Sequence, residues 1–203
     1  MSQPEKRTAC EGFRRFSKMR GRGRPVVFIF ALALCFFGWA AARGQTVSHE
    51  YPLKAAFLYN FAQFTGWPTN AFESADAPLV IGVLGNDPFG PLLEDAVRGE
   101  TVAGRKFSVE HYRRADDIKM CHILFISQSE IRRLDKIVAA LKGRPVLTVS
   151  EIEGASARGV CVRFLTENNK IHLRINTDAL QAAQLTMSSK ILRVAEITTT
   201  APK

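Results

Sequence analysis

Cysteine is scarce in this chain, metal-ligand spacing is missing, and no apolar run beyond residue 42 is long enough to cross a bilayer. Cys10 and Cys35 fall in the first 44 residues, which leaves Cys121 and Cys161 for the body. Two cysteines do not make a disulfide scaffold, so burial must stabilise the fold, and about 160 residues suffices for that. The histidines, His49, His111, His122 and His172, have no metal-ligand spacing, and no His-Glu-x-x-His is present; zinc-hydrolase chemistry loses its signature. Gly99 to Lys106 has the glycine spacing of a phosphate loop, but Arg105 stands where lysine is required and a strand follows, so it reads as a turn. Gly154 to Gly159 misses the nucleophile elbow by one residue. His122 beside Cys121 lacks further ligands and reads as a satisfied core histidine. The carboxylate pairs Asp116-Asp117 and Glu151/Glu153 read as solvated loops. No catalytic residue, metal ligand or cofactor is expected, and the body reads as a non-enzyme.

What is present divides sharply by charge. The formal net charge of +9 suggests nucleic acid or an anionic membrane. However, residues 1–44 carry nine Lys/Arg and two Glu, leaving 19 basic against 17 acidic residues from 45 onward. A nearly neutral body is not a nucleic-acid binder. The basic stretch ends at Arg24, a 17-residue apolar run follows from Val26 to Ala42, and small residues offer a cleavage site either at Ala40–Ala42 or at Ala42-Arg-Gly44, before Gln45. Residues 1–44 therefore read as an export signal, with an uncleaved anchor as the alternative. Either way the body lies outside the cytoplasm. Leu32 to Cys35 has a lipobox outline, but bulky Leu34 precedes the cysteine, which argues against a lipid anchor.

The body opens with a helix from Tyr51 to Trp67, whose stripe of Leu53, Phe57, Asn60/Phe61 and Phe64 faces the core, with Lys54 and Gln63 off that face. Leu79 to Leu84 reads as a strand buried on both faces. Asp87 is placed to cap the helix that Pro91 opens and Gly99 stops. Strands follow at Arg105–Tyr112, His122–Ile126 and Val146–Val149. Ser127 and Glu130 suggest a capping box for a helix ending near Gly143. Ser150 to Gly159 reads as a loop with one helical turn. Val160–Thr166 and Lys170–Asn176 form a hairpin through Asn168-Asn169. Thr177 caps a helix to Gln184, and Ser188 starts a last helix running to Glu196. No internal repeat or low-complexity segment is present. The expected fold is one three-layer α/β domain over residues 48–197. It has a mostly parallel sheet of about six strands, a C-terminal antiparallel hairpin and helices on both faces, followed by a flexible tail, 198–203.

One location is site-like in such a fold. Ligands settle beyond the carboxyl ends of parallel strands, a rim that holds Gly85, Asn86, Asp87, Ser127-Gln128 and Ser150-Glu151. The same residues are also the caps and turns any such fold requires, so a small-molecule pocket and plain structure both stand.

Three segments together resemble a known family: Tyr51-Pro-Leu-Lys-Ala-Ala-Phe-Leu-Tyr-Asn-Phe61 with Trp67-Pro68, Cys121-His-Ile-Leu-Phe-Ile-Ser127, and Ser188-Ser-Lys-Ile-Leu-Arg-Val-Ala195. Gly85-Asn-Asp-Pro-Phe89 and Leu147-Thr-Val-Ser150 also fit. The set is similar to the YfiR family of exported proteins, once a domain of unknown function. The resemblance implies a periplasmic α/β protein, often a homodimer, that binds and represses an inner-membrane diguanylate cyclase. Cyclic di-GMP and biofilm formation then fall, and an outer-membrane lipoprotein can sequester the regulator. Cys121 matches a half-cystine of the best-known members and Cys161 resembles another, but their usual partners are absent here. A Cys121–Cys161 bridge is the remaining pairing, if the two Cα atoms come within about 7 Å. For a regulator that works by surface, the candidate residues are His172 and Arg174 on the outward face of the edge strand, with Lys190 and Arg193 in the last helix. The alternative is a periplasmic small-molecule sensor that uses the rim pocket.

Overall fold

The computed structural model describes residues 50–200, so the expected export signal, 1–44, lies outside the described residues. Helix α1 (Glu50–Phe64) leads into strand β1 (Thr65–Gly66), then β2 (Leu79–Leu84), α2 (Leu92–Val97), β3 (Thr101–Val102) and β4 (Arg105–Tyr112). Strand β5 (Ile123–Ile126), α3 (Leu134–Ala140), β6 (Leu147–Ser150), β7 (Val162–Glu167) and β8 (Lys170–Asn176) follow. The chain closes with α4 (Thr177–Ala182), β9 (Thr186–Met187), α5 (Ser189–Leu192) and β10 (Glu196–Thr198).

The main sheet has eight strands in the order β10-β8-β7-β6-β5-β2-β4-β3, and β1 pairs separately with β9. Strands β7, β6, β5, β2 and β4 run parallel, while β8 lies antiparallel to β7. Every residue of β2, β5 and β6 is buried, as continuous apolar runs in a covered parallel sheet require. Alternate side chains serve two cores. Ile81, Val83, Ile123, Phe125, Leu147 and Val149 pack with Leu58 and Phe61 of α1 and Leu93 of α2. Leu84, Leu124 and Ile126 pack with Leu134 and Ile137 of α3. This is the expected α/β architecture, helices on both faces and a C-terminal hairpin. Asn168 and Asn169 sit at φ +50° and +59°, the pair of positive values that a two-residue hairpin turn demands.

Several local expectations fail for identifiable reasons. Leu53 is 47% exposed, whereas Lys54 is 1% exposed, so the buried face of α1 is rotated from the aromatic stripe. Ala55, Leu58, Phe61 and Ala62 form that face, because small alanines let the helix approach the sheet. The Asp87 carboxylate accepts from the Phe89 and Gly90 N–H groups and caps a turn; α2 starts without a side-chain cap. The Ser127 hydroxyl accepts from Ser129 N–H, but Glu130 bonds Arg133 instead of closing a capping box. Asn176, not Thr177, caps α4. The last helix ends at Leu192, and the chain extends again to add β10 beside β8, with Glu196 opposite Arg174. Strand β8 is therefore not the sheet edge along its C-terminal half. The expected tail begins inside β10, and the Thr200 N–H donates to Asp178.

His122 is the core histidine the sequence suggests. Its Nδ1 accepts from Val80 N–H at 3.0 Å and its Nε2 lies 3.1 Å from the Ala71 carbonyl, so the ring is neutral with its proton on Nε2. Phe72 stacks on it at 4.2 Å and carries the Arg105 guanidinium on its other side, 3.9 Å away. Burial, and then the nearby Arg105 charge, hold its pKa below the ordinary 6.5.

Two measurements check this core. Gly82 has no side chain because a Cβ would stand 2.6 Å from the Tyr112 ring and 2.9 Å from Cys121 Sγ. Gly82→Ala is expected to cost about 1–3 kcal/mol in urea unfolding through overpacking. In the folded state His122 resists protonation, and in the unfolded state it does not. Its contribution is complete above pH 6.5 and is lost as pH falls toward its depressed folded value. The fall in stability below pH 6.5 should shrink in His122→Gln.

Candidate functional site

Strand β2 is flanked by β4 on one side and β5 on the other, so the winding reverses between β2 and β5, where a rim crevice is expected. The structure closes that crevice. Gly85, at φ +93°, lets the two loops touch, and a Cβ there would lie 2.9 Å from Glu130 Cγ. Asn86 N–H donates to Ser129 Oγ at 3.0 Å. The Ser150 hydroxyl donates to the Ile126 carbonyl at 2.8 Å and accepts from Ile152 N–H at 3.1 Å. Asp87, besides its turn, faces His111 Nε2 at 3.2 Å. Gly85, Asn86, Asp87, Ser127 and Ser150 thus hold the turns together, and none of them lines the rim cavity described next.

That cavity, of about 390 Å³, lies farther along the rim, against β7. Glu50, Tyr51 and Lys54 of α1 form one wall, Gln128 and Glu151 the next, and Arg163 to Glu167 the third. Gln128 and Glu151 each follow an expected pocket residue by one position. Lys54 is its centre. The Lys54 ammonium contacts the carboxylates of Glu50 and Glu151, each at 2.5 Å, and lies 4.9 Å from the Tyr51 ring centroid. Thr166 Oγ1 donates to Glu50 at 2.8 Å, and Tyr51 Oη to Glu151 at 3.4 Å. Burial alone would lower the Lys54 pKa, but the two carboxylates outweigh it and hold it above the ordinary lysine value. The hydrogen bond from Lys54 pulls Glu50 below its usual range. Burial, followed by the Glu151 charge, pushes Tyr51 up.

A lysine held charged by two carboxylates is neither a general base nor a nucleophile at neutral pH. It joins the first turn of α1 to the ends of β6 and β7. The signal in the sequence was Glu50 four residues before Lys54, a helical ion-pair spacing that the aromatic stripe outweighed.

The other expected site residues do not converge on it. His172 is exposed on β8. Arg174 bonds Glu196 at 2.7 Å and borders a separate cavity with Arg163. Lys190 lines a groove between the end of α1 and the β9–α5 turn, and the exposed Arg193 donates through Nε to the Ser189 carbonyl of α5 at 3.3 Å. Cys121 and Cys161 are buried free thiols in different hydrophobic clusters, with β6 between their strands, so no bridge forms. Burial pushes the Cys121 thiol up to about 12 and raises Cys161, which leaves both unreactive. Among the described residues no cluster of His, Cys, Asp and Glu could hold a metal ion, and no helix is long and apolar enough to cross a membrane.

The lysine centre makes a checkable demand. Glu50→Gln with Glu151→Gln leaves a buried charge without a counter-ion, and the loss should be about 3–5 kcal/mol in urea unfolding. Glu50→Gln alone should cost clearly less, because Glu50 is 31% exposed and Glu151 still pairs the lysine.

Comparison with known proteins places this arrangement. No curated protein matches the chain. A solved conserved domain protein from Vibrio cholerae O1 biovar El Tor strain N16961 is 12% identical over 59% of this chain, with a TM-score of 0.46. The match spans 54% of that protein's length, and a likeness of this size carries no functional argument. The YfiR/HmsC-like family model, by contrast, matches residues 51–196, nearly everything from the first turn of α1 to the start of β10. That family is periplasmic, regulatory rather than catalytic, and associated with control of diguanylate cyclases. The chain belongs to the YfiR/HmsC-like family.

Proposed function

We propose that this protein is exported by its N-terminal segment and represses a membrane-bound diguanylate cyclase by binding the cyclase's periplasmic part. Cyclic di-GMP and biofilm formation fall as a result. The observation that carries this reading is the family match across 51–196, which takes in both cores and all of the lysine centre but Glu50. We place the contact on α5 and β10. Lys190 and Arg193 supply positive charge there, and Val194 and Ile197 are 76% and 48% exposed. Exposed apolar side chains beside charge suit a docking patch. Homodimer formation and sequestration by an outer-membrane lipoprotein belong to the same proposal.

The rim cavity at Lys54 supports a second reading, a small-molecule sensor. It stands second because the charges lining that cavity already pair with one another.

Cellular cyclic di-GMP, measured in a deletion strain with and without a plasmid copy, tests repression. A rise on deletion, reversed by the copy, is expected; an unchanged level with the protein expressed would overturn the proposal. Val194→Asp should abolish the plasmid's effect, and Lys190→Glu with Arg193→Glu should weaken it in a salt-dependent way when cyclase capture is measured. Wild-type activity in Val194→Asp would move the surface elsewhere.

A further inference from the structure

Strands β7 and β8 set Arg163 directly opposite Arg174, and β10 sets Glu196 opposite Arg174. The three side chains form one rung across the sheet. Like charges directly opposite each other are unfavourable in an antiparallel pair, and only one of these two arginines has a counter-ion. Arg174 bonds Glu196, a carboxylate that is 60% exposed. Arg163 has no acidic partner among the described residues, and the Nε groups of both arginines are buried without a hydrogen bond.

A cavity of about 250 Å³ opens on this rung beneath the turn at Gly154 to Ala157. Ser156, on that turn, is 3% exposed and its hydroxyl has no partner. The Ser156 carbonyl is held by Asn176 Nδ2 at 2.6 Å, so the residue is fixed in place. Buried polar groups left unbonded are costly, and three around one cavity need an explanation. Arginine can only donate, so what satisfies it must accept. Two guanidinium groups and one glutamate leave the site one positive charge in excess.

We propose that this cavity is an oxyanion site, in which Arg163, Arg174 and the Ser156 hydroxyl bind the phosphoryl or carboxylate group of a small acidic ligand. Glu196 occupies part of the site as a tethered mimic and swings out when the ligand enters. The volume exceeds that of a bare oxyanion, which leaves room for an attached organic group. The site meets the lysine-centre cavity only at Arg163, which borders both, and does not rest on the cyclase reading.

Isothermal titration of the purified full chain with inorganic phosphate, at ionic strength held constant with chloride, tests this. Saturable 1:1 binding is expected. It should weaken at least tenfold in Arg163→Gln and in Arg174→Gln, and a few-fold in Ser156→Ala. Glu196→Gln should tighten it several-fold, a gain that a folding defect cannot produce. Succinate titrated in parallel separates the sources: tighter phosphate binding assigns a phosphoryl ligand, and tighter succinate binding a carboxylate. Absence of saturable binding of either anion, or an affinity indifferent to Arg163→Gln and Glu196→Gln, would overturn the site.

Discussion

Three short parallel strands with water on neither face are the constraint on which the rest of this structure depends. Strands β2, β5 and β6 are too apolar to expose any side, so each must be covered twice. That requirement puts α1 and α2 on one face and α3 on the other. It also sets what the neighbours can be. Gly82 stays bare because Tyr112 and Cys121 fill the space beside it. His122, just before β5, can sit in this interior only as a neutral ring with both nitrogens matched.

The lysine centre follows from the same burial. Bringing α1 onto the sheet through Ala55 and Leu58 carries Lys54 inward with them. An unpaired ammonium there would be prohibitive, and an apolar residue could fill the same volume, so the ion cluster is no simple gain in stability. What it adds is geometry. Glu50 comes from α1 and Glu151 from the loop after β6, with Thr166 of β7 bonding Glu50, so the helix turn and two strand ends share one charge network. A shift of α1 along the sheet would strand the charge.

The fold was largely legible from apolar runs and turn residues. Leu79–Leu84 and the Asn168-Asn169 turn need only local physics. The first helix, expected to reach Trp67, instead ends at Phe64 because Thr65 and Gly66 pair with Met187 and Thr186 as a strand. The candidate site was legible only in part. The crevice rule pointed to the space between β2 and β5, which a contact permitted by Gly85 closes, and the rim cavity lies farther along, lined by Gln128 and Glu151. The burial of Lys54 depended on which side of α1 the alanines would choose, and aromatic spacing speaks against the true face. Strand β10 was unreadable for a different reason. Three residues carry no period, and Glu196 to Thr198 become a strand only because β8 offers a free edge.

That last strand bears on how a protein of this family could repress. A regulator must bind two states of its partner with different affinity, and a hundredfold difference corresponds to about 2.8 kcal/mol. Exposed ion pairs contribute about 0.2–1 kcal/mol each, so Lys190 and Arg193 fall short of that alone. Full burial of an aliphatic side chain is worth about 1.5–3 kcal/mol. Val194 and Ile197, 76% and 48% exposed where the chain turns from α5 into β10, have part of that burial still to gain. On the proposed reading the apolar pair carries the discrimination, and the charges steer the encounter.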